Sequence, residues 1–340
     1  MRKLPSLMFL FFHGIFLAFL PFTYSNLTLD YYKQTCPQFP QIMQQVITDK
    51  QLDFPTTAAG VLRLFFHDCM VDGCDASNLI TSTAFHKAER DADINLSLPG
   101  DAFDVISRAK TALELQCPGV VSCSDILAMA TRNLVVMVGG PYFNVLLGRK
   151  DSLVSDPSRV AENLATPSLP LSKIISLFGL KGFSVKEMVA LVGAHTIGFS
   201  HCKEFANRIF NFSESSQYDP ALNPEYANRL RKLCANYTEM TEMSAYNDVM
   251  TPGKFDNMYY RNLKNGLALL QSDQAMAVDK RTKPYVDWYA ANQTAFFQDF
   301  AGALEKVSVY NVKTGREGEV RQRCHEFNNY KGPSGRRSHI

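Results

Sequence analysis

Apolar side chains recur at helical spacing through most of the 340-residue chain, and several of these segments open with a capping signal. Ser122 stands three residues before Asp125, and Ser184 stands three residues before Glu187. A serine hydroxyl at the start of a helix accepts from the backbone amide three residues on, and an acidic residue there suits the first turn. Each pair therefore predicts the beginning of an amphipathic helix.

Two prolines predict further helices, and one apolar stretch predicts a strand. Pro224, which follows Asn223, opens a segment of helical period, and Pro284 opens a long one that runs through Leu304. The apolar stretch 143–147 lies between glycine turns and is a short strand candidate. With so few strand signals and no internal repeat, the pattern predicts a mainly α protein in one large domain.

The first 25 residues have the pattern of a signal peptide. Arg2 and Lys3 precede an apolar run over 7–20, which is short for a spanning helix of roughly 20 residues, and small polar residues follow at 23–25. A signal-anchor is the alternative. We expect cleavage near Ser25, a folded domain over 26–324 and a polar C-terminal tail over 325–340, with no later segment that crosses a bilayer.

Charge and cysteine content narrow the class of protein. The net charge of +2 comes from scattered basic residues, which does not predict a nucleic-acid partner. An even number of cysteines in a secreted chain predicts four disulfides, and eight cysteines permit about 105 pairings, of which proximity suggests only Cys69 with Cys74. The eight are Cys36, Cys69, Cys74, Cys117, Cys123, Cys202, Cys234 and Cys324.

Five Asn-x-Ser/Thr sequons are compatible with passage through the secretory route. They stand at Asn26, Asn95, Asn211, Asn236 and Asn292. We expect glycans at the last three of these positions. For Asn95 we expect none, because of the role that it is assigned below.

The segment 62–77 concentrates the chemistry of the chain. Arg63 and His67 are four residues apart, so on a helix they share one face, where a cation and an imidazole suit acid–base work on a small oxidant. A turn at Gly73 follows, which a disulfide could close. Oxygen ligands for a hard cation surround this turn at Asp68, Asp75 and Ser77.

A second segment, 188–201, places His195 at the end of an apolar helix. Gly193 and Ala194 precede it, and their small size would let a flat group approach the backbone. Taken alone, His195 fits a satisfied core histidine as well as it fits a ligand.

Three motifs in fixed order carry a resemblance to a known family. They are Arg-x-x-Phe-His-Asp-Cys from Arg63, Gly-x-His-Thr-x-Gly from Gly193, and Gln-Ser-Asp from Gln271. Together they resemble the secreted plant haem peroxidases, often called class III, over the span from Tyr31 to Cys324. The resemblance implies an all-α haem-peroxidase fold, in which distal and proximal helical lobes sandwich one haem b, with minor short β segments.

The resemblance also implies roles on the two sides of the haem. His195 would be the axial iron ligand, and Asp273 would accept a hydrogen bond from its other nitrogen. On the distal side, His67 would move the proton of hydrogen peroxide as base and then acid, while Arg63 would stabilise charge on the leaving oxygen. The remaining distal residues would be Asn95, which accepts from His67, Glu89, which supports Asn95, and Phe66, which walls the pocket.

Two calcium sites and a disulfide pattern are implied in the same way. The distal calcium would be held by Asp68, Val71, Gly73, Asp75 and Ser77. The proximal calcium would be held by Thr196, Asp248, Thr251, Lys254 and Asp256. The disulfides would join Cys36 to Cys117, Cys69 to Cys74, Cys123 to Cys324 and Cys202 to Cys234.

One departure from the family pattern concerns the reducing substrate. Ala165 stands where the first proline of Leu-Pro-x-Pro is usual, so donor preference is open, although the Ala165 carbonyl remains a candidate donor contact. The function implied is one-electron oxidation of phenolic or aromatic donors by hydrogen peroxide, as in cell-wall lignin or suberin formation, peroxide removal and stress response. The alternatives are a haem- and calcium-binding relative without efficient turnover and a calcium-dependent cell-wall binding module without haem. We expect a secreted monomer rather than a vacuolar or membrane protein.

Overall fold

The computed structural model describes residues 27–328. The expected signal peptide over 1–25, the sequon at Asn26 and the tail from residue 329 lie outside the described residues. Within 27–328 the chain forms twelve α-helices and one two-stranded sheet, so the mainly helical prediction is confirmed. In the same part of the chain, no helix is long and apolar enough to cross a bilayer.

Four helices form the N-terminal lobe. They are α1 Phe39–Asp53, α2 Thr57–Met70, α3 Gly100–Gln116 and α4 Cys123–Met137. Helix α2 packs against both α3 and α4, and α1 covers α3 and α4. Eleven of the fourteen residues of α2 are buried, so this helix lies in the interior of the lobe. This lobe carries Arg63 and His67.

The remaining elements form the C-terminal lobe. They are α5 Leu171–Leu180, α6 Val185–Val192, β1 Phe199–His201, α7 Ala206–Ile209, α8 Pro224–Leu233, β2 Ser244–Tyr246, α9 Met258–Lys264, α10 Gln271–Met276, α11 Lys283–Ala291 and α12 Gln293–Ser308. Strands β1 and β2 are antiparallel, with Phe199 opposite Tyr246. Helix α12 packs against α6 and also reaches α2, which joins the two lobes over one large apolar core.

The capping signals of the sequence occur where they were expected. Ser122 accepts from the amide of Asp125 at the start of α4, and Ser184 forms a reciprocal capping box with Glu187 at the start of α6. Asn223 accepts from the amide of Tyr226 at the start of α8. Since each cap satisfies amides that the helix itself leaves unpaired, these short motifs predicted helix starts well.

Two predictions about secondary structure are wrong. The single long helix from Pro284 is two helices, because Asn292 has an extended backbone (φ −138°, ψ 94°) and its Oδ1 accepts from the amide of Ala295 to start α12. The stretch 143–147 is no strand, since only Leu147 pairs, in an isolated bridge with Thr28. Apolar content there reflects burial in the core rather than sheet pairing.

All four disulfides are present, and they join the cysteines in the pattern that the family resemblance implied. The pairs are Cys36–Cys117, Cys69–Cys74, Cys123–Cys324 and Cys202–Cys234. The Cys123–Cys324 bond ties the start of α4 to the last described segment across 201 residues. It therefore anchors the segment around Cys324 beside the N-terminal lobe.

Candidate active site

His67 lies on α2 in a buried hydrogen-bond network. Its Nδ1 is 2.6 Å from Oδ1 of Asn95, and Nδ2 of Asn95 donates to the carbonyl of Glu89 at 2.7 Å. Because that amide nitrogen donates to a carbonyl, the amide oxygen must accept, so Nδ1 of His67 carries the hydrogen. The lone pair on Nε2 is therefore free to take a proton.

The surroundings of His67 favour its neutral form. Burial lowers the pKa of His67, the charge of Arg63 lowers it further, and His195 adds to this, so the pKa falls to about 3 despite the hydrogen bond to Asn95. Helix α2 and the segment carrying His195 lie close together, since a Cβ at Gly198 would be 3.0 Å from Cβ of Ala59 on α2. His67 is consequently a neutral base at any ordinary pH.

Arg63 is held by the segment 94–97, which includes Asn95. Its guanidinium donates to the carbonyls of Ile94 and Ser97, both at 3.1 Å, and to Oγ of Ser97 at 2.9 Å. Burial lowers the pKa of Arg63 and the charge of Glu204 opposes this, yet a guanidinium stays protonated in either case. Sequence reasoning missed Ser97, and its place within the Asn95 sequon was the only available signal.

Glu89 connects the histidine network to the oxygen-rich loop beyond α2. Its backbone carbonyl, rather than its carboxylate, contacts Asn95, while the carboxylate accepts from Oγ of Ser77 at 2.8 Å. Burial raises the pKa of Glu89 to about 8, with the charges of Asp68 and Asp75 acting in the same direction. A change in this loop is thereby coupled to the position of Asn95.

Phe66 and Ala165 lie at the edge of the core. The ring of Phe66 stacks on Phe178 of α5 with centroids 6.0 Å apart. Ala165 is half-buried, and its loop is held by Asn163, whose side-chain oxygen accepts from Nζ of Lys181 at 2.5 Å. Side-chain hydrogen bonds therefore hold this loop at a point where the first family proline is missing.

His195 lies on a 3₁₀ turn, Gly193–Thr196, that continues from α6. Its Nδ1 is 2.8 Å from Oδ2 of the buried Asp273 on α10, and Ser272 donates to the other carboxylate oxygen at 3.1 Å. The ring of Tyr259 packs edge-on against the imidazole at 6.2 Å. Burial lowers the pKa of His195, but the charge and hydrogen bond of Asp273 together raise it above its ordinary value.

The donor set at His195 fits a haem iron. The side chain is 39% exposed, whereas its partner Asp273 is 5% exposed, so one ring nitrogen is held inside the protein and the other is presented outward. Nε2 makes no hydrogen bond among the described residues. An imidazole oriented by a carboxylate in this way is a common axial ligand.

Close packing against aromatic side chains explains why position 193 is a glycine. A Cβ there would lie 2.3 Å from the hydroxyl of Tyr260 and 2.5 Å from the ring of Phe296. The residue is buried, so the missing side chain allows α6 to end close against the aromatic core. This packing by itself requires a glycine at position 193.

The distal loop, residues 71–77, collects buried oxygens. Oδ2 and Oδ1 of Asp68 accept from the amides of Ala76 and Asn78, at 2.9 and 3.2 Å, and Oδ1 of Asp75 accepts from the amide of Ser77 at 3.1 Å. Burial raises the pKa of Asp68 to about 7, and the charge of Asp75 contributes. Because Asp68 and Asp75 are both buried, their ionised forms need a positive charge nearby.

Carbonyl oxygens of the distal loop complete a set that suits calcium. The carbonyls of Val71 and Gly73 accept no hydrogen bond within the described chain. Gly73 has φ +120°, and a Cβ there would lie 2.2 Å from the carbonyl of Asn311, so only glycine fits. In residues 27–328, no three His, Cys, Asp or Glu side chains are arranged as a metal site, so a cation here would need these carbonyls and hydroxyls.

The five residues predicted for the proximal calcium lie close together in space, beside Thr196, which is the residue that follows His195. Oγ1 of Thr196 lies 3.5 Å from both Oδ2 of Asp248 and the carbonyl of Lys254. Oγ1 of Thr251 lies 3.2 Å from Asp248 and 3.1 Å from Oδ1 of Asp256. All of these atoms are hard oxygens on adjoining segments, which again fits calcium.

The sequons differ in accessibility. Asn95 is 2% exposed, and both its amide and the hydroxyl of Ser97 are engaged, as described above. Asn211 and Asn236 are exposed, while Asn292 is half-buried and its side-chain oxygen caps α12. Asn211 and Asn236 are therefore the asparagines that are most accessible to a glycan.

Comparisons with known proteins match this chain to peroxidases. A family model described as Peroxidase matches residues 42–292. The chain is 65% identical to Peroxidase 6 of Arabidopsis thaliana over 309 residues, which cover 91% of this chain and 94% of that protein. It is 57% identical to Peroxidase 31 of the same plant, over 93% and 98% of the two chains, and 58% identical to Peroxidase 65, over 89% and 90%.

Proposed function

This chain belongs to the plant class III peroxidase family, and we propose that His67 and Arg63 act on hydrogen peroxide in it while His195 holds the haem iron. The family makes it a haem peroxidase that reduces hydrogen peroxide with electrons from reducing substrates. The observation that carries the residue assignment is the contrast in partners. The buried His67 is bonded to an amide, and the outward-facing His195 is bonded to a carboxylate.

The bound haem, one haem b per chain, would supply the electrons that reduce peroxide and would recover them from donors one at a time. His195 is suited to hold it through Nε2, because Nδ1 is committed to Asp273. A charged acceptor makes the imidazole a stronger electron donor, which favours cleavage of the oxygen–oxygen bond. Asp273 is thus a positioning and tuning residue.

His67 would move the proton of the peroxide. With a pKa of about 3 it is neutral, and its free Nε2 can accept the proton from one peroxide oxygen and return it to the departing oxygen as water forms. Asn95 serves this role by accepting the hydrogen of Nδ1, which fixes the tautomer. Glu89 holds Asn95 in turn through its backbone carbonyl.

Arg63 would stabilise the charge that develops when the oxygen–oxygen bond breaks. Its guanidinium remains protonated, so it assists without a proton of its own to lose. Three hydrogen bonds to the segment 94–97 fix its position one helical turn from His67. A group that is already oriented needs no reorganisation during the reaction.

Two calcium ions would brace the two sides of this site. The distal ion would use oxygens of Asp68, which adjoins His67, together with the distal loop. The proximal ion would use Thr196, which adjoins His195, and the acids around it. Hard carboxylate, hydroxyl and carbonyl oxygens are the donors that calcium prefers.

Phenolic and other aromatic compounds are the donors that we propose, with access beside Phe66 and Ala165. The protein would act as a secreted monomer in the cell wall, with glycans at Asn211, Asn236 and Asn292. The buried Asn95 supports a bare sequon at that position.

The function is tested on the mature chain produced through a secretory host. We expect haem at one per chain, an absorption band near about 400 nm, and oxidation of phenols that depends on added peroxide. A panel of phenolic donors under excess peroxide would then rank the substrates. Folded, calcium-loaded protein that takes up no haem would refute the assignment of His195, and haem-loaded protein that leaves peroxide intact would favour the alternative without turnover.

A further inference from the structure

The segment 310–313 lies against the distal loop, far from it in sequence. The amide of Cys74 donates to the carbonyl of Tyr310 at 3.2 Å, and Nδ2 of Asn311 donates to the carbonyl of Asp72 at 2.6 Å. The absent side chain of Gly73 leaves room for the carbonyl of Asn311. These contacts fix the segment with respect to the loop.

Lys313 ends this segment with its ammonium group on Asp75. Nζ of Lys313 contacts Oδ2 of Asp75, and the amide of Lys150 fixes the lysine backbone by donating to its carbonyl at 2.8 Å. The Lys313 side chain is 28% exposed, and Asp75 is 2% exposed. The ion pair is thus partly buried. Charges interact more strongly in such a position than at the fully exposed surface.

Other charges near the distal loop do not replace this lysine. The buried acids are Asp68, Asp75 and Glu89, whose charges act on one another. The second cation is Arg321, but its guanidinium already donates to the carbonyls of Ala76 and Ser152, both at 2.7 Å. Arg159 pairs with a further acid of the loop, Asp72, at 3.1 Å, but these two side chains are 45% and 47% exposed. Lys313 is therefore the cation that contacts a buried carboxylate of this loop.

We propose that Lys313 is a built-in counter-cation of the distal loop, which weakens calcium binding there and preserves the loop when calcium is lost. This inference rests on the distal calcium site of the proposed function. An ammonium on Oδ2 of Asp75 lowers the negative charge that the site offers and repels a divalent ion held by the same carboxylate. Without calcium, the same ammonium compensates an acid that would otherwise be buried and unpaired.

The proximal site offers a matched contrast. Nζ of Lys254 lies 3.5 Å from Oδ2 of Asp256, but the Lys254 side chain is 67% exposed. Solvent screens an exposed pair of this kind, so it has little effect on stability or on a neighbouring ion. The lysine–aspartate pair at the proximal site is therefore both longer and more exposed than the pair at the distal site.

The test compares calcium binding by the haem-loaded parent, Lys313→Met, Lys313→Arg and the control Arg159→Met, which removes an exposed ion pair of the same loop. Each protein is depleted with a chelator and titrated with calcium in a calorimeter. We expect Lys313→Met to bind one of its calcium ions roughly tenfold more tightly, because a nearby positive charge is removed. Lys313→Arg and Arg159→Met should bind calcium with nearly the affinities of the parent.

Thermal unfolding gives a second readout that is independent of turnover. In chelator, Lys313→Met should melt lower than the parent by about 5 °C, and saturating calcium should abolish most of that difference. If this variant does not fold without calcium, Lys313→Gln keeps a hydrogen-bond donor without the charge and is titrated instead. Loss of folding only in chelator would itself agree with the proposal.

The outcomes separate this inference from the function on which it rests. A parent that binds calcium, with neutral variants that bind it no more tightly, would overturn the role of Lys313 and leave the peroxidase assignment intact. A parent that binds haem but no calcium would overturn the calcium sites and this inference together. Equal effects of Lys313→Met and Arg159→Met would show that burial of the pair is irrelevant, which also contradicts the proposal.

Discussion

His67 and His195 are two imidazoles with opposite surroundings. His67 is buried and its Nδ1 faces the neutral amide of Asn95 at 2.6 Å, whereas the Nδ1 of the half-exposed His195 faces the carboxylate of Asp273 at 2.8 Å. The pKa of His67 is lowered to about 3, chiefly by burial, and the pKa of His195 is raised by Asp273. Burial lowers the pKa of both imidazoles, but only His195 has a carboxylate partner, whose charge and hydrogen bond reverse the shift.

The contrast shows how one residue type can perform two tasks across a small space. A neutral partner orients His67 while leaving it a weak base that can both accept and release a proton. A charged partner increases electron density on His195, as a ligand to a metal requires. A carboxylate beside His67 should therefore raise its pKa, and an amide beside His195 should make that imidazole a weaker electron donor.

The largest expected effect comes from removal of the histidines themselves. His67→Ala should keep haem but slow the reaction with peroxide by about 10²–10⁴-fold, the usual contribution of a positioned general acid–base group. His195→Ala should instead lower haem occupancy. Stopped-flow absorbance and a haem assay separate the two defects, and a His67→Ala protein that reacts as fast as the parent would break the comparison.

The next test places a carboxylate beside the distal histidine. In the parent, His67 stays neutral down to a pH of about 3, so its peroxide reaction should slow only near that pH as the imidazole is protonated. Asn95→Asp should raise the pKa of His67 to its ordinary range of about 6.5 or above, because a carboxylate stabilises the imidazolium. The rate should then be about 30-fold or more below that of the parent at pH 5 and recover above pH 8.

Asn95→Ala is the control for that pH profile. It removes the acceptor of Nδ1 without adding charge, so it should slow the reaction at every pH and leave the shape of the profile unchanged. An Asn95→Asp profile that coincides with that of the parent would mean that the partner's charge does not determine the role of His67.

The reciprocal change acts on the proximal side. Asp273→Asn keeps a hydrogen-bond acceptor for His195 but removes its charge, which should raise the haem reduction potential and slow the peroxide reaction by about 10-fold. Ser272→Ala is the matched control, since it removes the hydroxyl bonded to Oδ1 and leaves the carboxylate in place. Equal effects of both changes would indicate that orientation, rather than charge, is what Asp273 provides.

Short motifs made most of the fold and the centre of the site predictable. Ser122 and Ser184 predicted helix starts correctly, because helix capping depends on residues that are only three apart in the sequence. The break at Asn292 carried a similar signal, but the apolar period continued across it and masked the cap. Strands β1 and β2 have three residues each and pair with each other across 42 intervening residues, so no local pattern marked them.

The rest of the site depends on contacts between distant segments. His67, Asn95, His195 and Asp273 were identified through family motifs, whereas their supporting contacts were not. Lys313 reaches Asp75 across 238 residues, and the aromatic packing that requires Gly193 comes from α9 and α12. Periodicity describes one segment at a time, so such pairings emerge only when the chain is folded.

The smallest expected effect concerns Arg63, which shares the distal space with His67. Ser97→Ala removes the 2.9 Å hydrogen bond to the guanidinium but leaves the two carbonyl contacts, so the peroxide rate should fall by about fivefold, equivalent to about 1 kcal/mol. Ser97→Thr retains a hydroxyl and should react like the parent. Because Ser97 completes the Asn95 sequon, the mass of both variants also reports on glycosylation. A slower Ser97→Ala protein that has lost a glycan would mean that Asn95 is not free to hold His67, and the distal half of the comparison would fail.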